Sequence, residues 1–381
     1  MTYTSRVVAS ALALAVVVPA QLIISDGNMN VVTGTLPATQ VPTTFDLRGD
    51  TLALDHGFEH SWFFRIAGDT REWSLRNVGP VTQGVTATSD HLDRDLADVD
   101  SRGLLRASID VDVYDAGPAS GVVISRLTVM NISVSPITVD LFCYTDLDIA
   151  NTTGNDAVTG TGSSHFVTDS TGVRIEVRAI GNDRSDCGAY PTIRNLLTNA
   201  SLDNLGNGLP PFSGDYTGAF QWQNRTLAPF QQRTFNVLIA IDTAAAAPPH
   251  VEHYGAGNGA LGEIHTQTLP LQDNSQVRVF SLGLKNAAPN QVYRTLIGFA
   301  PFFAPVIPGL ELWVDPFQLF GVWGIGGLTS PTGSAIETFS IPASPYLTGL
   351  AIYSQSFYVS ASAPNGYAFY TPGLMTRIGK L

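Results

Sequence analysis

Apolar and polar residues alternate along several stretches of the chain. In residues 107–113 every second residue is apolar, and the segments 137–143, 173–178 and 235–241 repeat the pattern. An alternation with a period of two directs one side of a β-strand towards a core and the other towards water. We therefore predict half-buried antiparallel strands, and many such strands joined by short turns are typical of a β-sandwich.

Two segments have apolar residues at helical spacing instead. In residues 92–99 the apolar residues are three or four positions apart, but aspartates occupy most positions between them. In residues 193–197 a similar spacing follows Pro191. A short helix is an open alternative for both segments.

A change of pattern near residue 244 divides the chain. The segment 244–251 starts with four alanines and continues with two prolines, which favour an extended spacer. A polar, threonine- and proline-rich lead-in is predicted for residues 21–43. We expect an all-β protein of two antiparallel β-sandwich domains, over 44–243 and 252–381, joined by this Ala/Pro linker.

The composition supports short strands and turns. Of 32 acidic residues 25 are aspartate, only two residues are lysine, and the chain contains 36 glycines and 23 prolines. Aspartate is a poor helix former that prefers turns, whereas glutamate and lysine favour helices. The net charge of −12 repels phosphate backbones, so a nucleic-acid partner is not expected.

The N-terminal residues resemble a secretory signal peptide. Arg6 supplies a short basic region, residues 7–18 are almost entirely apolar, and Val18-Pro19-Ala20 offers a small-residue cleavage site. We predict a signal peptide over 1–20, no transmembrane segment after its cleavage, and a secreted or cell-surface location. An uncleaved anchor is the alternative, because residues 22–24 remain apolar.

The chain contains two cysteines, Cys143 and Cys187, in one predicted domain. In an oxidising compartment such a pair is predicted to form a disulfide bond. Two free buried thiols are the alternative. Two cysteines alone are too few for a structural zinc site.

Short motifs after the linker form a recognisable series. Residues 254–257 are Tyr-Gly-Ala-Gly, 284–289 are Leu-Lys-Asn-Ala-Ala-Pro, 312–316 are Leu-Trp-Val-Asp-Pro, and 363–368 are Ala-Pro-Asn-Gly-Tyr-Ala. In this order, residues 252–381 resemble a C-terminal β-rich module that recurs in exported bacterial proteins and has no assigned activity. The resemblance implies an attachment or assembly module. The N-terminal domain is more loosely similar to large secreted β-sandwich domains.

Closely spaced acidic and amide residues suggest a metal site. Asp146, Asp148, Asn151 and Asp156 follow a predicted strand into a glycine-containing loop. Calcium is bound by six to eight oxygens, and such residues can supply several of them. They are candidate calcium ligands, while ordinary turn chemistry is the favoured alternative. The aspartates within 90–100 have the same two interpretations, and a solvated acidic loop is favoured.

Two further groups of residues have a functional and a structural interpretation. His56 and His60 flank Glu59 and suit a metal if the segment is helical, although Gly57 favours a turn. Aromatic residues cluster twice and suit either sugar stacking or core packing, which is favoured. They are Trp62, Phe63, Phe64 and Trp73 in the first cluster, and Trp313, Phe317, Phe320 and Trp323 in the second.

No catalytic motif and no cofactor-binding motif is recognised, apart from the calcium candidate. We therefore expect an exported, non-catalytic surface protein that binds a cell-surface glycan or a protein partner and carries a C-terminal attachment module. The alternatives are a carbohydrate-active enzyme with an acidic cleft on a β-sandwich, and a calcium-stabilised adhesive protein.

Overall fold

The structure is a computed structural model, and it describes most of the chain after residue 22. The described ranges are 23–27, 29–33, 45–49, 54–75, 82–87, 90–117, 120–208, 211–242, 250–259, 262–268, 271–272, 278–307, 310–316, 325–341, 344 and 347–380. The predicted signal peptide over 1–20 lies outside these residues, as does most of the predicted linker.

Strands dominate the first part of the chain, as the alternation predicts. They are β1 (Ile23–Asp26), β2 (Met29–Thr33), β3 (Phe45–Gly49), β4 (Leu54–Asp55), β5 (Glu59–Ile66), β6 (Trp73–Ser74), β7 (Thr82–Ala87), β8 (His91–Leu96), β9 (Leu105–Gly117), β10 (Ser120–Asn131), β11 (Ile137–Asp146), β12 (Asp156–Gly160), β13 (Ser164–Thr168), β14 (Arg174–Ala179), β15 (Arg184–Ala189), β16 (Phe212–Gly214), β17 (Tyr216–Leu227) and β18 (Gln232–Ile241). Within the described residues, the single α-helix is α1 (Thr192–Thr198).

The later part of the chain also consists of strands, many of them short. They are β19 (His250–Tyr254), β20 (Glu263–Thr268), β21 (Leu271–Gln272), β22 (Arg278–Lys285), β23 (Val292–Gly298), β24 (Pro301–Ile307), β25 (Leu310–Val314), β26 (Ile325–Leu328), β27 (Ala335–Ile341), β28 (Ala351–Val359), β29 (Ala368–Tyr370), β30 (Gly373–Arg377) and β31 (Gly379–Lys380).

Two antiparallel sheets form a sandwich in the first part of the chain. The large sheet has the order β16-β12-β13-β14-β18-β10-β9-β8-β7, and the small sheet has the order β15-β17-β11-β5-β6. Their facing apolar side chains form one core, in which Trp62 and Phe220 of the small sheet meet Val123 and Val237 of the large sheet. A hydrogen bond of 3.0 Å from Trp62 Nε1 to Ser125 Oγ joins the sheets directly. The predicted antiparallel all-β fold is confirmed.

Of the two segments with helical spacing, one forms a helix and the other forms a strand. Residues 192–198 form α1, and Ile193 and Leu197 of this helix pack on Phe142 and Tyr144 at the outer face of the small sheet. Residues 91–96 form strand β8, so a helix there is wrong. Pairing with β7 and β9 outweighs the local helical spacing.

The described strands after residue 250 form several small sheets. The main one has the order β19-β30-β28-β23-β26, with β29 also paired to β28. A second has the order β20-β22-β27, and the short pairs β21-β31 and β24-β25 complete the region. Among the described residues, no helix has the length and apolar character needed to cross a membrane.

This C-terminal region packs directly on the large sheet. Val122, Ile124 and Leu238 point to the outer face of the large sheet and belong to the same buried cluster as Leu282 and Leu374. The central strands of the large sheet are therefore buried on both faces. The predicted separation into two sandwich domains is not confirmed.

A buried ionic network accompanies this contact. Ser108, Asp110 and Asp112 occupy the polar positions of β9, and each is at most 3% exposed. The prediction that this side of the strand faces water is wrong. Asp112 binds Arg126 and lies 3.0 Å from His91 Nδ1, so the charge of this residue is paired within the protein.

The acidic run within 90–100 takes part in the same network. Asp93 is buried, and Lys285 Nζ lies 3.1 Å from its Oδ1 and 2.6 Å from Asp95 Oδ1. The expectation of a solvated loop is therefore wrong for these two residues. Asp98 and Asp100 do lie in a loop, where their carboxylates accept hydrogen bonds from the backbone of Gly103 and Leu105.

The predicted disulfide between Cys143 and Cys187 is wrong, because both cysteines are free. Cys143 lies opposite Phe220 of β17, while Cys187 lies opposite Gly218 on the other side of the same strand. Two strand spacings amount to about 9–10 Å. Disulfides require Cα atoms within about 7 Å, so the bond cannot form without moving a strand.

Candidate functional site

Two of the predicted calcium ligands lie at one end of the small sheet, where β11 ends and β17 begins. β11 ends at Asp146, Asp148 follows it, and Asp215 immediately precedes β17. Because Asp146 is paired with Thr217 in this antiparallel sheet, the end of β11 lies beside the start of β17. One oxygen from each of Asp146, Asp148 and Asp215 lies within 4.8 Å of the other two. We call these three residues the Asp146 cluster.

Asp156 lies beside this cluster at the start of β12. It is paired with Gly214, and its Oδ2 accepts a hydrogen bond of 3.1 Å from the backbone nitrogen of Tyr216. The residue is 0% exposed, yet its Oδ1 has no hydrogen-bond partner. The Oδ1 atom of Asp215 is also buried without a partner. These two oxygens are unsatisfied acceptors, which folded proteins rarely leave in place.

The carboxylates in and around the cluster have raised pKa values. Burial raises the pKa of Asp146 to about 7, and the charges of Asp148 and Asp215 act in the same direction. Burial also raises the pKa of Asp156 to about 6, with further contributions from the nearby Asp169 and Asp215. Removing carboxylates from water and placing them together destabilises their charged form.

Two of the four predicted calcium ligands thus meet in the cluster and a third lies beside it. Asn151 belongs to the short 3₁₀ turn Ile149–Asn151, and its side chain lies outside the described residues. Sequence reasoning missed Asp215, which lies at least 59 positions from each of the other ligand candidates. The available signal was an aspartate directly before the aromatic-rich segment 216–222.

The His56-Glu59-His60 group does not form a metal site in the structure. His60 Nε2 lies 3.5 Å from Cys143 Sγ, and its Nδ1 lies 3.0 Å from Thr145 Oγ1. His56 instead accepts a hydrogen bond from the backbone of Ala150. β5 starts at Glu59, so its strand geometry directs neighbouring side chains to opposite faces.

A separate cleft of about 610 Å³ lies at the edge of the small sheet. β6 forms this edge, and the loop around Arg102 and the end of α1 complete the walls. Trp73 is 46% exposed within the cleft, although its strand neighbour Phe64 is buried. We call this feature the Trp73 cleft.

Charged side chains surround Trp73. The guanidinium carbon of Arg71 lies 5.2 Å from the centre of the Trp73 ring, and Arg71 Nη2 donates a hydrogen bond to the carbonyl of Thr198. Across the cleft, Arg102 binds the carboxylates of Asp69 and Asp100, each at 2.9 Å. The cleft therefore combines one large aromatic surface with several fixed polar groups.

Buried contacts hold this edge in place from within. Arg65 is only 7% exposed, and it binds Glu72 at 2.7 Å and Asp140 through its Nε at 2.7 Å. Glu72 precedes Trp73, so the ion pairs anchor the backbone that carries the aromatic ring. This is the preorganised support that a binding site needs.

The two interpretations of the first aromatic cluster apply to different residues. Trp62, Phe63 and Phe64 are at most 2% exposed, which confirms core packing for these three. Trp73 is the exposed member. In the second cluster only Trp313 lies within the described residues, and its Nε1 donates a hydrogen bond to the carbonyl of Ala256.

Comparison with known proteins identifies no family. No family description matches the chain, and no curated protein matches it. Similar solved structures include a bacterial glucoamylase complexed with acarbose, with a TM-score of 0.41 and 11% identity. That match covers 57% of this chain, and the chain spans only 30% of the glucoamylase.

Two other proteins are similar over more of their own length. A GalM/aldose epimerase homologue from C. elegans has a TM-score of 0.36 and 8% identity, with 59% of this chain and 100% of the homologue covered. A galactose mutarotase related enzyme from Lactobacillus acidophilus has a TM-score of 0.38 and 8% identity, with coverages of 59% and 98%. Likenesses as distant as these carry no argument about the activity of this chain.

Proposed function

We propose that the protein is an exported glycan-binding protein and that the Trp73 cleft is its binding site. The observation that carries the proposal is the 46% exposure of Trp73 inside a cleft lined by charged groups. A sugar ring has an apolar C–H face that packs on an aromatic ring, while its hydroxyls hydrogen-bond to polar groups around the edge. Trp73, Arg71 and Arg102 offer this combination.

The cleft favours binding over hydrolysis. Glycoside cleavage needs a carboxylic acid with a raised pKa beside a second carboxylate. Burial acts to raise the pKa of Asp100, but hydrogen bonds from the Asp98 carboxyl and the backbone of Leu105 outweigh it and lower this pKa. Burial raises the pKa of Asp98, but this residue does not line the cleft. Asp69 and Asp100 both bind Arg102, so these carboxylates order the wall of the cleft.

Export is the second part of the proposal. It is supported by the basic and apolar residues over 1–20 and by the resemblance of 252–381 to a module of exported proteins. A glycan-binding cleft on such a protein suits attachment to polymers of a cell surface. As part of this proposal, residues 252–381 act as the attachment module.

Binding of the purified protein to cell-wall polysaccharides and an oligosaccharide array tests the proposed function. A ligand found there is then titrated by calorimetry against the wild type and Trp73→Ala. A buried aromatic contact at the centre of a binding site contributes about 2 kcal/mol or more, so we expect a loss of affinity of roughly 30-fold.

Tyr367→Ala is the matched control, since Tyr367 is 66% exposed in the C-terminal region and lies outside the cleft. This variant should bind like the wild type. Equal affinity of the wild type and Trp73→Ala would place the site elsewhere, and absence of binding across the whole panel would reject a glycan ligand.

A further inference from the structure

The Asp146 cluster takes no part in the proposed glycan-binding site. Three carboxylates with oxygens within 4.8 Å of one another repel each other unless a proton or a cation separates them. Within the described residues, no arginine, lysine or histidine forms an ion pair with Asp146, Asp156 or Asp215. Asp146, Asp156 and Asp215 therefore have no cationic partner among the described residues.

A second observation points towards a ligand. Asp156 is fully buried, one of its oxygens is held by the Tyr216 backbone, and the other has no partner. Asp215 likewise keeps a buried oxygen without a partner. Leaving a buried acceptor unsatisfied costs about 1–3 kcal/mol, so such atoms need a donor or a cation.

The fold keeps these oxygens together rigidly. Tyr144 donates a hydrogen bond of 3.0 Å to Asp146 Oδ2, which fixes one carboxylate at the end of β11. Asp156 is fixed by the backbone of Tyr216, directly after Asp215. The oxygens are therefore held by paired strands of both sheets, so forming the site requires little reorganisation.

From this arrangement we infer that Asp146, Asp148 and Asp215, with Asp156 beside them, bind a calcium ion. The donors are all carboxylate oxygens, which suit a hard cation, whereas zinc prefers nitrogen and sulfur. Calcium accepts irregular geometry and six to eight oxygens, while magnesium demands a near-ideal octahedron. The ion neutralises the cluster where β11, β12 and β17 converge.

Terbium luminescence tests the site, because terbium replaces calcium and is sensitised by nearby phenol rings. The Tyr144 hydroxyl donates a hydrogen bond to Asp146, so bound terbium should emit on excitation of tyrosine. We expect calcium to displace this signal and to raise the melting midpoint of the chelator-treated protein, since calcium binds only the folded state. Emission that calcium cannot displace, or a midpoint that saturating calcium leaves unchanged, overturns the inference.

Two variants separate a binding role from a structural role. Asp215→Asn and Asp148→Asn each remove one negative ligand, and we expect each to weaken calcium binding by roughly ten-fold or more. Because Asp215→Asn also relieves repulsion, the calcium-free melting midpoint of this variant should stay equal or rise. A lowered calcium-free midpoint with an unchanged calcium response in both variants indicates a purely structural role and rejects the site.

Asp183→Asn is the matched control, since Asp183 is an exposed aspartate paired with Arg225. Its calcium response should equal that of the wild type. Magnesium provides a second control: a midpoint shift as large as that produced by the same concentration of calcium contradicts a calcium-selective site and indicates general charge screening.

Discussion

The ammonium group of Lys285 donates a hydrogen bond of 3.1 Å to Oδ1 of Asp93. Lys285 ends strand β22 of the C-terminal region, and Asp93 lies in β8 of the large sheet. Both side chains are buried, so this pair lies inside the contact between the two parts of the chain. The chain contains only two lysines, and one of them makes this contact.

Replacing Lys285 by methionine should strongly destabilise the protein. The substitution leaves the buried Asp93 and the half-buried Asp95 without their cation, and breaking a buried pair in this way costs about 3–5 kcal/mol. Urea unfolding of the wild type and Lys285→Met measures the loss. Arg225→Met, which removes the cation of the more exposed pair with Asp183, should cost less than about 1 kcal/mol. A similar loss of unfolding free energy in both variants would show that the buried Lys285 pairs stabilise the fold no more than an exposed ion pair does.

Histidine burial should make stability depend on pH. Burial lowers the pKa of His165 to about 4, and its Nδ1 lies 2.9 Å from the Tyr216 hydroxyl. Since the unfolded histidine titrates near 6.5, the folded state binds fewer protons, and stability is lost as the pH falls from 6.5 towards 4. The free energy of unfolding of the wild type, minus that of His165→Gln, should therefore fall by about 2 kcal/mol as the pH is lowered from 8 to 5.

His91 provides a control of opposite sign. Burial acts to lower the pKa of His91, but Asp112 outweighs it and raises this pKa. A histidine with a raised pKa in the folded state stabilises the fold at low pH. This stabilisation is lost as the pH rises through the folded-state pKa. The stability difference between wild type and His91→Gln should widen on acidification. Parallel pH profiles for the two variants would contradict both assignments.

Thiol titration should find two free cysteines. Burial raises the pKa of Cys143 well above its ordinary value and that of Cys187 to about 12, so both thiols should react slowly in the native protein. After unfolding without reductant, both should react with a thiol reagent. An unfolded, unreduced chain without reactive thiols would show that Cys143 and Cys187 are bonded after all.

The same substitution at two tryptophans should have very different effects on stability. Trp62 is 0% exposed and stacks on Trp222 with ring centres 5.6 Å apart. Trp62→Ala should cost about 3–5 kcal/mol through the cavity it creates. Trp73→Ala should change the free energy of unfolding by no more than about 0.5 kcal/mol. Chemical denaturation measures both, and a large loss for Trp73→Ala would assign this residue to the core.

Local pattern predicted several of the elements. The alternation in 107–113 and 235–241 predicted strands, because side chains of an extended backbone point alternately to opposite faces. The short helix over 192–198 was also among the alternatives. Residues 92–99 show the limit of such patterns, because pairing with two neighbouring strands decided their conformation.

Candidate site residues were only partly visible in the sequence. Asp146, Asp148 and Asp156 are close along the chain, whereas Asp215 joins them through the pairing of β11 with β17. The exposed position of Trp73 likewise depends on its place at the edge of a sheet. Which distant residues meet is determined by strand order, and strand order leaves no local signal.

By itself, the sequence determined that β9 has an apolar face and a polar face. Only the tertiary structure decided that Asp110 and Asp112 are covered by the C-terminal region and not by water. The physical reason is that alternation reports a difference between two faces. It does not report what each face contacts, because an ionic partner such as Arg126 or Lys285 can replace water around a carboxylate.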